Sequence, residues 1–279
     1  MKTALVLSGG GVLGAAHIGA LEALDERGFR PDFVVGTSAG AIVGSLYATG
    51  GTVLVNEFMD ALAETLGSRR TYLLNTPYKL FEFVGKLLAE YVPRDYGKLN
   101  IPFYPVATNI RTGTYKAFSK GDLVADVMAS AAYPGVFPVQ EVAGESYVDG
   151  GLTANLPVTV AKELGATYII ASSIYALPKM SSEQTRRLNI ITTIERSLDI
   201  IQAGQAREQE ALSDFCFTPP VQDGYHWYHM RALPEIREAG RIYARKRIAA
   251  LPPVPKRGWR LPGWQLLLPQ TPTKKRFRP

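Results

Sequence analysis

The sequence predicts an α/β fold with a mostly parallel central sheet and helices on both faces. Two short apolar runs, at 3–8 and 33–35, are each followed by a glycine-rich turn and then by a helical pattern. A third run, at 168–172, contains no charged residue, as expected for a strand that is buried on both faces. Strands that alternate with helices pair in parallel, and the connecting helices cover both faces of the sheet.

The first four elements follow from the two turns. Residues 3–8 form a strand that ends at glycines 9–11, and 13–27 form a helix that stops at Gly28. Residues 33–35 form the second strand, and the small residues of 39–49 predict a helix that ends at a Gly-Gly pair. Ligands bind such sheets beyond the carboxyl ends of the strands, so both turns lie at the edge expected to hold a site.

The later elements follow from apolar spacing and turn residues. Large apolar side chains at every fourth position from Leu54 to Leu66 predict a helix, and the apolar segment 72–91 predicts another that ends before Pro93. A short turn at 111–113 joins two strand-like runs into a hairpin. The remaining predicted elements are strands at 103–109, 114–118, 139–142, 146–148 and 168–172, and helices at 122–132, 157–165, 183–213 and 235–250.

Composition and charge limit the classes of function. The 279 residues divide into a predicted catalytic domain at 1–251 and a tail at 252–279. Seven of the 31 Lys and Arg residues lie in the tail, which contains no acid, so the net charge of +6 belongs to the tail. The near-neutral remainder gives no indication of a nucleic-acid groove. The single cysteine, Cys216, excludes an internal disulfide and a cysteine-based zinc cluster.

The sequence also bears on localisation. No stretch approaches the roughly 18 consecutive apolar residues that a membrane span needs, and the first apolar run is too short for a signal peptide. We therefore expect a cytoplasmic protein. Trp259 and Trp264, together with the basic residues of the tail, are compatible with peripheral contact with the anionic inner membrane surface. The many prolines of the tail disfavour a continuous amphipathic helix, so we expect the tail to pack along the body, and membrane contact is the alternative.

The stretch 34–44, Val-Val-Gly-Thr-Ser-Ala-Gly-Ala-Ile-Val-Gly, contains the pattern G-x-S-x-G around Ser38. A strand precedes the serine and a helix of small residues follows it, and in that context a sharp turn lifts the hydroxyl clear of the sheet. The pattern is short enough to occur by chance, so the inference depends on the flanking strand and helix. We predict that Ser38 is a nucleophile; a structural serine in a tight turn is the alternative.

Acyl transfer by a serine also needs donors for the oxyanion that forms on the substrate. The backbone N–H of Ala39 and those of Gly9, Gly10 and Gly11 are the candidates, because glycine lets the backbone approach a substrate oxygen closely. The helix that begins near Leu13 adds its positive end to the same place. This chemistry requires no metal and no cofactor, and we predict none.

The spacing Gly9-x-Gly11-x-x-Gly14 after a strand is also the fingerprint of dinucleotide-binding sites. Asp32 stands where the acidic partner is expected along the chain, but it precedes the second strand, whereas a ribose-binding carboxylate lies at the carboxyl end. Two alanines follow Gly14 where a phosphate-binding loop needs a lysine and a hydroxyl residue. Nucleotide binding is therefore the weaker interpretation.

The base that takes the proton from Ser38 is harder to assign, since the chain has only three histidines. His17 lies one turn into the first helix, near the edge expected to hold the site. His226 and His229 lie among aromatic residues far along the chain, and we expect them in a surface or interface loop. A metal site formed by these two with Asp223 is the alternative.

Three motifs occur in order: Gly9-Gly10-Gly11-x-x-Gly14, Gly36-Thr37-Ser38-Ala39-Gly40 and Asp149-Gly150-Gly151. With them, the chain resembles the bacterial patatin-like phospholipases from about residue 2 to about residue 173, and 129–138 and 155–157 also match that pattern. The resemblance implies a patatin-like three-layer architecture. It also implies a Ser/Asp dyad, with Ser38 as nucleophile, Asp149 as its base and the glycine loop as the oxyanion site.

A carboxylate base is chemically reasonable, because desolvation at a strand end raises its pKa from the ordinary value near 4. A carboxylate that caps its own turn is the alternative role for Asp149. The family usually carries Arg or Lys where this chain has Leu13, which puts the rate and the preference for anionic head groups in question.

The predicted function is thus a serine acyl-ester hydrolase that acts on phospholipid, lysophospholipid or similar lipid esters. The segment 72–91 is apolar nearly all round, and it either lines an acyl-chain groove or packs deep between other helices. The alternative function is a nucleotide- or lipid-binding regulatory module without strong hydrolase activity. The predicted partner is a lipid or small ester and not a nucleic acid; the sequence leaves the oligomeric state open.

Overall fold

The computed structural model describes residues 1–67, 76–174, 177, 179–223, 225 and 229–252. Eight strands lie within these residues. They are β1 Thr3–Leu7, β2 Phe33–Thr37, β3 Phe103–Asn109, β4 Thr114–Ala117, β5 Gln140–Val142, β6 Glu145–Asp149, β7 Tyr168–Ser172 and β8 Phe215–Phe217.

The eight strands form one sheet in the order β5-β6-β3-β2-β1-β7-β8, and β4 pairs with β3 beside this path. The five neighbours β3, β2, β1, β7 and β8 pair in parallel. β4 and β6 pair antiparallel with β3, and β5 pairs antiparallel with β6. The predicted mostly parallel sheet is therefore confirmed.

The helices of the described residues include a 3₁₀ turn at Gly11–Ala16 that leads directly into the first α-helix. The α-helices are α1 His17–Glu26, α2 Ala39–Gly67, α3 Pro77–Tyr91, α4 Leu123–Ser130, α5 Gly151–Ala154, α6 Val158–Glu163, α7 Ser182–Arg186, α8 Ile190–Glu210 and α9 Leu233–Arg247. None of the helices in the described part of the chain combines the length and apolar composition needed to cross a bilayer.

Alternate residues of the central strands pack into two separate hydrophobic cores. On one face, Leu5 and Leu7 of β1 pack with side chains from α1, α2, α4 and α9. On the other face, Ala4 and Val6 pack with side chains from α6 and α8. Because side chains of a strand point to opposite faces in turn, this division confirms helices on both faces.

The sheet register brings the ends of β2 and β6 to one level. Thr37 at the end of β2 pairs with Val106 of β3, and Asp149 at the end of β6 pairs with Ala107 on the other side of β3. β3 extends three residues beyond the end of β2. β6 pairs antiparallel with this extension, so it begins beyond β2 and ends at the level where β2 ends. The turn after β2 and the turn after β6 therefore lie at the same edge of the sheet.

Several element boundaries differ from the predictions. The predicted break after residue 49 is present, because Gly50 and Gly51 depart from helical geometry and Gly51 has a φ of 68°. The predicted helix at 183–213 is two helices, α7 and α8. β8 was not predicted, since three residues are too few for a strand pattern. Residues 72–75 and 253–279 lie outside the described residues, so the division into domain and tail stays a prediction.

Candidate active site

Ser38 occupies a strained turn between β2 and α2. Its φ is 54°, a left-handed conformation that a non-glycine residue adopts at a cost of about 1–3 kcal/mol. The flanking glycines allow the tight turn: a Cβ on Gly36 would lie 2.3 Å from the Gly40 carbonyl oxygen, and one on Gly40 would lie 2.4 Å from the Leu7 carbonyl oxygen. The half-buried Ser38 side chain is thus presented at the sheet edge by backbone that only glycine fits.

Ser130, at the end of α4, connects this turn to the rest of the site. Its Oγ accepts a hydrogen bond from the Ser38 backbone N–H at 2.9 Å and donates one to the Val106 carbonyl at 2.5 Å. Its carbonyl accepts from the Gly150 N–H at 3.2 Å. One fully buried serine therefore ties the Ser38 turn, β3 and the Asp-Gly-Gly turn together.

Asp149 lies beneath the edge with only 2% of its surface exposed. Its Oδ1 accepts a 2.7 Å hydrogen bond from the Gly151 N–H. Burial raises the pKa of Asp149 to about 6, an effect that the Ser38 hydroxyl and the Gly151 amide partly oppose as donors. The Ser38 hydroxyl is near enough to lower this pKa, but within the described residues Oδ2 makes no hydrogen bond of normal length and angle. The structure therefore places beside Ser38 a carboxylate that is a stronger base than an ordinary aspartate.

The glycine loop contributes backbone amides next to Ser38. A Cβ on Gly9 would stand 3.1 Å from the Cβ of Ser38, so the loop and the serine are adjacent. The Gly9 N–H donates to the Asn155 carbonyl at 3.1 Å, so this amide already has a partner, and the role of Gly9 at an oxyanion stays a prediction. Within the described residues the amides of Gly10, Gly11 and Ala39 form no hydrogen bond.

His17 does not contact Ser38 by hydrogen bonding. It is fully buried, and its Nε2–H donates to the Ser8 carbonyl at 3.0 Å while Nδ1 accepts from the Ser172 hydroxyl at 2.8 Å. Burial lowers the pKa of His17 to about 4, so the ring is neutral at physiological pH. His229 is exposed, and His226 lies outside the described residues. A structural role suits His17 better than a catalytic one.

Ser38 opens into a cavity of about 360 Å³. The described residues that line it include no ionisable side chain, and α3 supplies Leu80, Phe81 and Val84 to the wall. The rest of the wall is also mainly apolar, with side chains that include Val12, Ile42, Val43, Phe58, Met59, Leu62, Met128, Val136, Phe137, Met230 and Leu233. Leu13 lies between the lining residues Val12 and Gly14 in the sequence and is buried, 3% exposed, so the position where the family usually has a basic residue contributes no charge.

Asp32 lies away from this edge, as the sequence indicated. Its carboxylate accepts hydrogen bonds from the N–H and hydroxyl of Thr3, at 2.7 and 2.9 Å, where β1 begins. That is the amino-terminal edge of the parallel strands, opposite to Ser38. A dinucleotide bound at the glycine loop would therefore not find Asp32 within reach of its ribose.

Three residues near Asp149 were not assigned a role from the sequence. Ser130 and Asn155 lie in stretches that match the family pattern, but a pattern does not reveal their contacts. Gln202 lies on α8, far along the chain. The available signal was the spacing of Gln202, Gln205 and Gln209, which places three polar side chains along one side of a helix.

The mostly parallel sheet with helices on both faces defines an α/β protein, and it brings a strained serine after β2 and a buried aspartate at the end of β6 to one level. The family model described as patatin-like phospholipase matches residues 5–162, and the chain belongs to this family.

Curated relatives share the same region. An uncharacterized NTE family protein of Mycobacterium tuberculosis is 35% identical over 182 residues, which cover 62% of this chain and 49% of that protein. The lysophospholipase NTE1 of Mycosarcoma maydis is 32% identical over 191 residues, 65% of this chain and 10% of that protein. The neuropathy target esterase sws of Drosophila melanogaster is 26% identical over 272 residues, which cover 86% of this chain and 19% of that protein. The chain spans about half or less of the length of these relatives.

Among solved structures, VipD from Legionella pneumophila matches with a TM-score of 0.48 and 14% identity over 89% of this chain and 67% of that one. The ExoU–SpcU complex of Pseudomonas aeruginosa gives a TM-score of 0.44 and 18% identity over 89% of this chain and 52% of that one.

Proposed function

We propose that this protein is a serine acyl-ester hydrolase that acts on phospholipid, lysophospholipid or similar lipid esters. The observation that carries the proposal is the position of Ser38, which stands between a buried carboxylate and an apolar cavity of about 360 Å³. A cavity without ionisable groups suits an acyl chain, because burial of each methylene contributes about 0.8 kcal/mol to binding. Membership of the patatin-like phospholipase family and the name of the lysophospholipase relative agree with a lipid ester as substrate.

In the first step, Ser38 Oγ attacks the carbonyl carbon of the ester while Asp149 takes the hydroxyl proton. The raised pKa of Asp149 brings the base nearer to the operating pH, which favours proton transfer. The negative charge that develops on the carbonyl oxygen is stabilised by the amides of Gly10, Gly11 and Ala39, with Gly9 holding the loop in place through Asn155.

The tetrahedral intermediate then collapses to an acyl-enzyme on Ser38. The C–O bond to the alcohol breaks, and the departing alkoxide takes the proton from Asp149. In the second half of the reaction a water molecule attacks the acyl carbon and Asp149 accepts its proton. The bond between the acyl carbon and Ser38 Oγ then breaks, Asp149 returns the proton to Oγ, and the fatty acid leaves. This chain thus needs one carboxyl group, cycling between charged and neutral forms, for both half-reactions.

A fluorophosphonate probe tests the nucleophile, because it phosphonylates an activated serine. We expect the probe to label the wild type and to leave Ser38→Ala unlabelled, and we expect hydrolysis of nitrophenyl esters to disappear in the same variant. Equal labelling of both proteins would remove Ser38 from the mechanism. Tight binding of NAD or ATP without esterase activity would favour the regulatory-module alternative.

A further inference from the structure

Three buried polar side chains converge beside the Asp-Gly-Gly turn. Asp149 Oδ1, Asn155 Oδ1 and Gln202 Cδ lie 3.0, 3.2 and 3.2 Å from the point where a Cβ on Gly151 would stand. Their side chains are 2%, 1% and 3% exposed. Gln202 belongs to α8, which packs on the face of the sheet opposite to α1. This helix therefore approaches the candidate base from that opposite face.

Each of these side chains has a polar atom without a hydrogen-bond partner among the described residues. The atoms are Asp149 Oδ2, Asn155 Nδ2 and Gln202 Nε2. A buried polar group without a partner destabilises the fold, so natural proteins rarely retain one that has no role. Here the set is complementary, because two amide donors accompany one carboxylate oxygen.

Neighbouring glutamines hold α8 in place without help from Gln202. Gln205 Nε2 donates to the Leu152 carbonyl at 3.1 Å, and Gln209 Oε1 accepts from both the N–H and the hydroxyl of Thr159 at 2.8 Å. Leu152 follows directly after Gly151, so α8 is fixed against the segment that carries the candidate base. Gln202, one turn before Gln205, is therefore available for the carboxylate.

The charged groups on this side do not compensate Asp149. Tyr133 is close enough to feel the carboxylate, since its pKa is raised by burial and then by Asp199, Asp149 and Glu195. Asp199 and Glu195 belong to α8, as does the partly buried Arg196, and none of these three groups is among those that shift the pKa of Asp149. The donors that lower the pKa of Asp149 are the neutral Ser38 hydroxyl and Gly151 amide. An additional neutral donor is what an ionised carboxylate in this surrounding needs.

We propose that Gln202 is a positioning residue for the base, and that its side-chain N–H donates to the ionised carboxylate of Asp149. The inference rests on the proposed function, in which Asp149 is the base. The bond orients the carboxylate toward Ser38 and stabilises the charged form that accepts the proton. It weakens when Asp149 is protonated, so it acts on the protonation equilibrium as well as on geometry.

The test compares Gln202→Met with Gln205→Met, using kcat/KM for a soluble short-chain nitrophenyl ester between pH 4.5 and 9. Methionine keeps the size and removes the amide in both variants, which makes Gln205 a matched control on the same helix. In Gln202→Met we expect the acid limb of the profile to move up by about one pH unit, with a roughly tenfold loss at low pH and a small loss at high pH. In Gln205→Met we expect a lower melting temperature and an unmoved limb.

Identical acid limbs in the two variants would overturn the role of Gln202. If Gln202→Met does not fold, Gln202→Leu provides the second measurement, since leucine also removes the amide donor and should move the limb up by the same amount. Asp149→Asn separates the two proposals on the same ester. Loss of turnover in Asp149→Asn with an unmoved limb in Gln202→Met rejects Gln202 alone, whereas full turnover in Asp149→Asn rejects the base and with it the inference.

Discussion

Ser38, directly after β2, and Asp149, the last residue of β6, lie at one level of the sheet on the two sides of β3. Thr37 pairs with Val106 and Asp149 with Ala107, so the two side chains are brought together by strand register and not by proximity along the chain. The Ser130 hydroxyl and carbonyl bridge the two turns. The chemistry of the site therefore depends on how far β3 extends beyond β2.

The raised pKa of Asp149 predicts the pH dependence of hydrolysis. The base must be ionised to accept a proton, so kcat/KM should rise with pH through about 6 and level off above it. A soluble ester assayed from pH 4.5 to 8 measures this limb. Asp126 is a control, because burial also raises its pKa to about 6 while it binds Tyr96 away from Ser38. Asp126→Asn should leave the limb unmoved; a limb near pH 4 in the wild type would contradict the prediction.

The same shift predicts that Asp149→Asn stabilises the fold at neutral pH. The pKa is raised on folding from 3.8 to about 6, so the cost of ionising the buried group is absent below pH 4, develops up to pH 6 and is complete above it. Removing the charge should therefore increase the free energy of unfolding by up to about 3 kcal/mol at pH 8. Urea unfolding at pH 4 and pH 8 measures the difference. An equal effect at both pH values would show that ionisation of Asp149 is not its cause.

Ser130→Ala should lower both stability and turnover. The substitution leaves the Ser38 N–H and the Val106 carbonyl without their buried partner, which costs about 1–3 kcal/mol for each group. We expect kcat to fall more than KM rises, because the Ser38 turn loses a contact that holds its geometry. Ser45→Ala is the matched control: Ser45 is also fully buried, and its hydroxyl donates to the Ile42 carbonyl within α2. Equal kinetic losses in both variants would show that Ser130 affects turnover only through the packing of the core and not through its bond to the Ser38 turn.

His17→Ala should mainly destabilise the protein. The substitution leaves the Ser8 carbonyl and the Ser172 hydroxyl without the ring, and it opens a cavity in the core. We expect a clear fall in melting temperature, substantial remaining kcat/KM and an acid limb in the wild-type position. Asp149→Ala, assayed beside it, should lose nearly all turnover. The reverse ranking of these two variants would assign the base to His17.

Much of the fold follows from local pattern. Glycines after β1 and β2, apolar runs and helical spacing lie close together along the chain, and they specify the alternation of strands and helices. The same holds for Ser38, whose turn is defined by Gly36 and Gly40. β8 was not predicted, because its three residues are too few for a strand pattern in the sequence and form a strand by pairing with β7.

The partners of the candidate site are less predictable, because they come from distant parts of the chain. The role of Asp149 followed from resemblance to a family, since spacing along the chain says nothing about the register of β6 on β3. The Gly9 amide was assigned to the oxyanion site from its glycine neighbours, and its tertiary contact with Asn155 could not be predicted from that pattern. Gln202 approaches Asp149 only because α8 packs on α5.

The cavity volume predicts a limit on acyl-chain length. Each methylene that enters the apolar cavity contributes about 0.8 kcal/mol to binding. Over a series of nitrophenyl esters, kcat/KM should therefore rise up to about fourfold per methylene and stop rising once the chain fills the cavity. Phe81 stacks on Phe137 in the cavity wall, and Phe81→Ala should move the optimum to longer chains. Tyr78→Ala, on the exposed side of α3, should leave it unchanged. An optimum that stays fixed in Phe81→Ala would show that the acyl chain binds elsewhere.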